Sequence, residues 1–367
     1  MVNFLKNLLI PAVLLIGLPL TGAFCKGEDI SFYLSFPPET QFASHAPFSV
    51  PIFCAIALFA CITVSPFAWR AFQFLKRNET PHGSEQRPFP FWGYAALCFL
   101  ILFWVLAWTR FEWFTPLQAH TFFPLWLSFI VLVNALVYKR DGSAPLTEAP
   151  ARFAGLFPAS AAFWWFFEYL NRFIQNWYYT GSEYPPLQYF LLATLSFSTV
   201  LPAVLSIRAL LMTFPLFQKG FSGFPPLPAV TAKPAALAVL ILSGFGLFLL
   251  PFFPDPLFFL VWVSPLLVIL SLQVLRGRPS IQEDVTKGEY TRIVSYAAAA
   301  LVCGFFWEMW NFFSLSKWIY SVPYVHAFQI FEMPVLGYTG YLPFGIECAV
   351  IIQLLTAAKS KDSPHET

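Results

Sequence analysis

Phe166-Phe167-Glu168-Tyr169-Leu170-Asn171, followed by Trp177-Tyr178-Tyr179, returns in this chain as Phe306-Trp307-Glu308-Met309-Trp310-Asn311, followed by Trp318-Ile319-Tyr320. From the Trp onward the copies align without gaps at an offset of 141, pairing Gln188 with Gln329, Phe190 with Phe331, and Leu201-Pro202 with Leu342-Pro343. Both copies sit in very apolar sequence. A carboxylate in such surroundings is costly in lipid and is seldom kept there without a use. The duplicated Glu-x-x-Asn therefore predicts a membrane protein built from two repeats.

Composition points to the same solvent. The chain is 58% hydrophobic, 20% aromatic and only 11% charged, whereas soluble domains carry about 25% charged residues. A soluble fold of this length has too little interior for so much apolar side chain. A net charge of +2 leaves no electrostatic footprint for nucleic acid. The six cysteines contain no Cys-x-x-Cys, and five lie in apolar runs. Neither a disulfide framework nor a metal site is expected, and no cofactor motif is present. Walker A, G-x-S-x-G, H-E-x-x-H and dinucleotide signatures are missing, and the loops are short.

The expected fold class is all-α, a polytopic transmembrane bundle of about ten spans. Apolar segments long enough to cross a bilayer, roughly 20 residues each, fall near 5–24, 48–69, 91–109, 119–138, 153–171, 187–213, 234–252, 257–275, 293–313 and 335–357. Pro251, Pro254, Asp255 and Pro256 mark a tight turn between the seventh and eighth. Alternate connections are basic: Arg70 to Arg87, Lys139 to Arg152, Lys219 and Lys233, Arg276 to Arg292, and the tail. By the positive-inside rule both termini face the cytoplasm of a bacterial inner (plasma) membrane. Residues 1–23 also read as a cleavable signal peptide, with Thr21-Gly22-Ala23 as the small-residue site. The organisation expected is two N-terminal spans in 1–90, a first repeat in 91–213, a second in 234–357, and a tail from 358 to 367. Four spans per unit give a parallel, not an inverted, duplication.

Glu168 and Glu308 lie about 15 residues into their spans, roughly 23 Å from the basic end. Asn171 and Asn311, three residues on, share a helix face with their Glu. These four are the candidate catalytic residues, expected to line one central cavity between the halves. Trp165, Trp177, Tyr179, Trp307, Trp310, Trp318, Tyr320, Arg110, Glu112, Glu332 and Glu347 gather near the same depth and are the candidate substrate contacts. Blander readings stand beside these. A Glu near a helix end reaches the headgroups. The Trp-x-Tyr pairs form an interfacial aromatic belt. Arg110 and Glu112 make a surface pair. Glu347 faces protein or a cavity, since lipid is too costly. His120 and His326 are isolated and lack ligand spacing. Gly337, Gly340 and Gly345 permit close helix contact.

Trp307-Glu308-x-x-Asn311, then Lys317-Trp318-x-Tyr320, then an apolar span containing Pro334, resembles the pattern of lycopene cyclase domains, small integral-membrane carotenoid cyclases that occur as tandem or heterodimeric units. Asn134-x-x-x-Tyr138-Lys139-Arg140 is similar to theirs as well, and the likeness covers about two thirds of the chain, once per half. The family's Pro-x-Glu-Glu motif is absent. The matching positions read Glu332-Met333-Pro334-Val335-Leu336 in one half and Leu191 to Leu195 in the other. The resemblance implies a polyprenoid substrate but does not carry over the family's acids.

Three functions fit the sequence. One is an enzyme that acts on a polyprenoid or carotenoid-like lipid through carboxylate acid–base chemistry, a cyclase or isomerase. The second is a proton-coupled transporter using the same carboxylates. The third is a non-catalytic lipid-binding or scaffold subunit. Membrane lipid is the expected partner, with a second membrane protein or a second copy of the chain completing the assembly.

Overall fold

Each of the ten apolar segments forms helix in the computed structural model, which describes residues 2–38, 40–77, 87–181 and 183–360. Among the described residues the α-helices longer than five residues are α1 (Val2–Lys26), α2 (Val50–Lys76), α3 (Phe91–Trp108), α4 (Phe122–Asp141), α5 (Leu156–Ile174), α6 (Pro186–Phe197), α7 (Val200–Met212), α8 (Lys233–Leu249), α9 (Leu260–Leu275), α10 (Thr291–Phe312) and α11 (Tyr341–Ser360). The sixth segment is broken at Ser198-Thr199 into α6 and α7. The tenth begins as the 3-10 helix Val335–Gly340 before α11. Pro202 and Pro343 each fall in the first turn after such a break, where a missing N–H costs nothing.

Among the described residues seven helices, rather than ten, are long and apolar enough to cross a membrane. They are Leu9–Lys26, α2, α3, α4, Pro186–Met212, α10 and Val335–Leu355. The two helices α8 and α9 are apolar but only 17 and 16 residues long. Helix α5 has 19 residues and carries Glu168, Asn171 and Arg172. The tail expected from 358 lies outside the described residues from 361 onward.

Helices α3 and α4 pack on each other, as do α8 and α9, and α10 and α11. Helix α7 is central, touching α4, α5, α10 and α11, while α1 lies along α8. Gly345 permits the α10–α11 approach: a Cβ there would sit 2.3 Å from the carbonyl oxygen of Tyr296. The core is heavily aromatic. Trp126, Trp310, Phe167 and Phe344 are its largest fully buried side chains. Trp126 contacts Trp307 and Trp310 at ring separations of 5.2 and 5.1 Å.

The basic connections meet at one end of the bundle. There Arg140 binds Thr213, Arg70 binds the carbonyls of Gly220 and Ser222, and Arg292 pairs with Asp284 at 2.7 Å. The opposite end holds the two departures from an all-α fold. Strands β1 (Trp177–Thr180) and β2 (Lys317–Tyr320) form an antiparallel pair, with Trp177 opposite Tyr320 and Tyr179 opposite Trp318. Two-residue strands β3 (Gln329–Ile330) and β4 (Met333–Pro334) form a second pair. An extended strap, residues 40–49, crosses this end. His45 Nδ1 lies 2.6 Å from Asp255 Oδ1, the Ala46 amide donates to Asp255 Oδ2 at 2.8 Å, and Ser321 donates to the Ala43 carbonyl.

Candidate functional site

The repeated motif folds into the same device twice. In the first copy α5 carries Glu168, and the chain turns at Gln175 into β1. Asn171 holds that turn: its amide donates to the Trp177 carbonyl at 2.8 Å, and its oxygen accepts from the Asn176 N–H at 2.9 Å. With β1 so placed, three donors converge on one carboxylate oxygen. Trp164 Nε1 (3.1 Å), Trp177 Nε1 (3.0 Å) and Tyr179 OH (2.6 Å) all donate to Glu168 Oε1. In the second copy Asn311 donates to the Trp318 carbonyl at 2.8 Å and accepts from the Trp318 N–H at 2.9 Å. Tyr320 and Tyr341 both donate to Glu308 Oε1 at 2.8 Å. Both carboxyl groups are fully buried, and neither Oε2 has a partner among the described residues.

These geometries separate the roles within Glu-x-x-Asn. The Asn amides bind backbone, so they position the strands and do not touch the cavity. The carboxyls bind ring N–H and O–H groups. Burial, then the neighbouring Glu carboxyl, pushes the Tyr179 and Tyr320 phenols well above their ordinary range, so both stay protonated as donors.

A cavity of about 200 Å³ lies between the two copies of the motif. Its wall takes Trp164, Trp177 and Tyr179 from the first half and Trp307, Trp318, Tyr320 and Tyr341 from the second. Trp262 from α9, Tyr189 and Leu192 from α6, His120 and Met333 complete much of it. Lys317 also lines the wall, and its Nζ is held by Glu332 at 2.5 Å. The surface is thus mostly apolar and rich in aromatic rings, with several hydroxyls and one paired cation.

The expectation that Glu168, Asn171, Glu308 and Asn311 line this cavity is corrected in one respect. None of the four is on the wall; the carboxyls stand behind it and reach it through phenol and indole groups. Trp177, Tyr179, Trp307, Trp318 and Tyr320 are on the wall as expected. Trp177 is not a belt residue, being 3% exposed with its N–H on Glu168. Trp165 points away, donating to Thr194 and stacking on Phe190. Trp310 is core. Arg110 ties the end of α3 to the Phe313 carbonyl at 2.7 Å, and Glu112 is exposed beyond it. Glu332 is off the wall and pairs with Lys317. Glu347 is buried in α11 away from the cavity wall.

Sequence reasoning missed Trp164, Tyr341 and Trp262. Trp164 stands four residues before Glu168, on the same helix face, and that spacing alone finds it. Tyr341 and Trp262 carry no local signal and come to the cavity only through tertiary packing. No protein-family model, curated protein or solved structure matches this chain.

Proposed function

We propose that this chain is a membrane-embedded enzyme that isomerises or cyclises a polyprenoid-like lipid. One observation supports the reading above the others: two buried carboxyl groups communicate with a single aromatic cavity through phenol hydroxyls. Isomerisation or cyclisation of an alkene balances with one proton added at one carbon and one removed from another. Two carboxyls on one cavity supply such a pair. In the observed orientation the phenol donates and the carboxyl accepts, which is the arrangement for removing a proton from substrate through Tyr to Glu. The reverse transfer, at the other carboxyl, delivers one. The cationic carbon between these events is stabilised by the faces of Trp164, Trp307 and Trp318.

The architecture that goes with this reading is a parallel duplication, residues 91–213 and 234–357. Exchange of the halves turns the pair Trp177–Tyr320 into Trp318–Tyr179, so the register of the β1–β2 ladder is unchanged by it. The α4–α7 contact likewise has its counterpart in α9–α11. The Lys and Arg pattern supports, with the first span retained, both termini on the cytoplasmic side of the membrane and the cavity at the opposite face. The resemblance to lycopene cyclase domains agrees in substrate class, although this chain reads Glu332-Met333-Pro334-Val335-Leu336 and Leu191 to Leu195 where that family has its paired acids.

The test compares whole-cell and co-purified lipids, by mass spectrometry, between wild type and Glu168→Gln/Glu308→Gln. A polyprenoid that accumulates or changes identity in the variant supports the reading. An unchanged lipid profile with normal protein levels overturns it.

A further inference from the structure

Helix α2 is 27 residues long, very apolar, and buries none of them. It is fastened towards both ends, and its N-terminal half also packs on residues 335–340. At its N-terminal end the Ser49 amide donates to the Tyr324 carbonyl at 2.9 Å, and Phe53 packs on Phe328 at 5.5 Å. At its C-terminal end Phe67 packs on Phe224 and Tyr290, and Arg70 binds the carbonyls of Gly220 and Ser222. Between these points Cys61, Ile62, Thr63, Val64, Ser65 and Pro66 are all exposed. Six consecutive residues exceed one helical turn of about 3.6. Every side of α2 is therefore uncovered there, and a gap separates it from the bundle.

The wall across the gap is α10. That helix starts beside Tyr290, which holds Phe67, and its Phe305 meets Phe331, in the loop that holds Phe53. The lengths agree: Phe53 to Phe67 spans roughly 21 Å and Tyr290 to Phe305 roughly 22 Å. Leu301 and Phe305 are 38% and 44% exposed on this helix. The slot so formed is apolar on both sides, and its fully uncovered stretch, residues 61–66, is roughly 9 Å long, since Ile56, Ala57 and Ala60 are partly covered.

One end of the slot is basic. Arg70, Gln73, Phe74, Arg77 and Lys219 line a cleft of about 110 Å³ at the foot of α2. Arg70 is held by two carbonyls and the Phe224 ring, whereas Arg77 and Lys219 have no acidic partner among the described residues. An apolar slot topped by a cleft of cations matches one chemistry, an acyl chain joined to an anionic head.

We propose that an anionic phospholipid occupies this position, its phosphate between Arg77 and Lys219 and a chain between α2 and α10. It serves as the missing packing for α2. This site is separate from the aromatic cavity and independent of the function proposed for it.

The full chain, delipidated in a neutral detergent, is titrated with phosphatidylglycerol or phosphatidylcholine and read by native mass spectrometry. Wild type should retain one phosphatidylglycerol at least ten-fold more tightly than phosphatidylcholine. Arg77→Gln/Lys219→Gln should lose that preference, while Arg70, which fastens the helix, is left intact so that the variant still folds. Phosphatidylglycerol with a diazirine in its chain should crosslink to residues 61–67 of α2 and to Leu301 or Phe305. Equal retention of both lipids, displacement by millimolar inorganic phosphate alone, or crosslinks spread evenly over the outer surface would overturn the proposal. So would a chain-to-chain crosslink through α2, which would put a second copy in the slot.

Discussion

Trp177 stands directly opposite Tyr320 in the β1–β2 ladder, and each ends on the carboxyl of its own half, Trp177 on Glu168 at 3.0 Å and Tyr320 on Glu308 at 2.8 Å. The two acids, 140 residues apart in the chain, are thereby joined through one cross-strand pair. Directly opposed side chains in an antiparallel ladder lie within about 5.5 Å at Cβ. A shift of either strand therefore disturbs both carboxyls together.

The two acids are not equally supported. Glu168 Oε1 receives three donors and Glu308 Oε1 two, both of them phenols. Tyr179→Phe leaves Glu168 with two indole donors. Tyr320→Phe/Tyr341→Phe leaves Glu308 with none of its observed donors. Removing one donor from a buried acceptor costs about 1–3 kcal/mol. The double variant should thus lower the melting temperature in detergent clearly more than Tyr179→Phe does, and should remove turnover of the lipid identified in the Glu→Gln comparison. Equal melting of the two variants would show that indole groups support Glu308 as they do Glu168.

The Asn residues should prove structural. A two-stranded ladder is marginal by itself, and each Asn fixes one strand by binding both an N–H and a C=O of its backbone. Asn311→Ala leaves the Trp318 N–H and carbonyl unpaired, at about 1–3 kcal/mol for each buried group. Asn311→Asp keeps the acceptor for the Trp318 N–H and loses only the donor, so its melting temperature should fall between Ala and wild type. Hydrogen exchange at 317–320 should rise in the same order. A variant that melts as wild type but loses activity would instead place Asn311 in the chemistry.

One acidic side chain makes two of the strap's contacts. Asp255 accepts from His45 and from the Ala46 amide, and His45 Nε2 lies 3.3 Å from the Gln175 carbonyl at the turn into β1. Asp255→Ala removes both contacts and should speed proteolysis and hydrogen exchange across residues 40–49 while the helices keep their protection. Uniform loss of protection through the bundle would contradict a local role.

The duplicated Glu-x-x-Asn and Trp-x-Tyr were legible because they repeat, and the repeat led to a shared site at one end of the bundle. What the sequence hid was direction. Spacing puts Glu168 and Asn171 on one face, but only the turn at Gln175 shows that the Asn is consumed by backbone and the Glu by rings. Trp165 and Trp310 fit the motif equally well and point elsewhere, because with aromatic residues on several faces of each helix the sequence does not mark which of them meets the cavity. Seven rather than ten helices meet the length and hydropathy needed to span, since α8 and α9 are short and α5 carries its polar groups on the inside. Residues 48–69 read as an ordinary span, and no pattern in them signals that α2 stands apart from the bundle.

Gly304 offers a way to disturb one carboxyl without mutating any of its partners. A Cβ there would lie 2.3–2.7 Å from the Tyr341 ring, closer than packed atoms approach, so Gly304→Ala must displace that ring. Tyr341 donates to Glu308 through its OH, and the displacement should break that bond while Tyr320 keeps its own. The helix itself gains from the change, by about 1 kcal/mol of propensity, which offsets part of the packing loss. The expected outcome is a variant that melts within a few degrees of wild type yet handles substrate as Tyr341→Phe does. Combining Gly304→Ala with Tyr341→Phe should then add almost nothing further to the loss of activity, because both act on the same bond. An additive loss would mean that Gly304→Ala acts on the cavity by some route other than Tyr341.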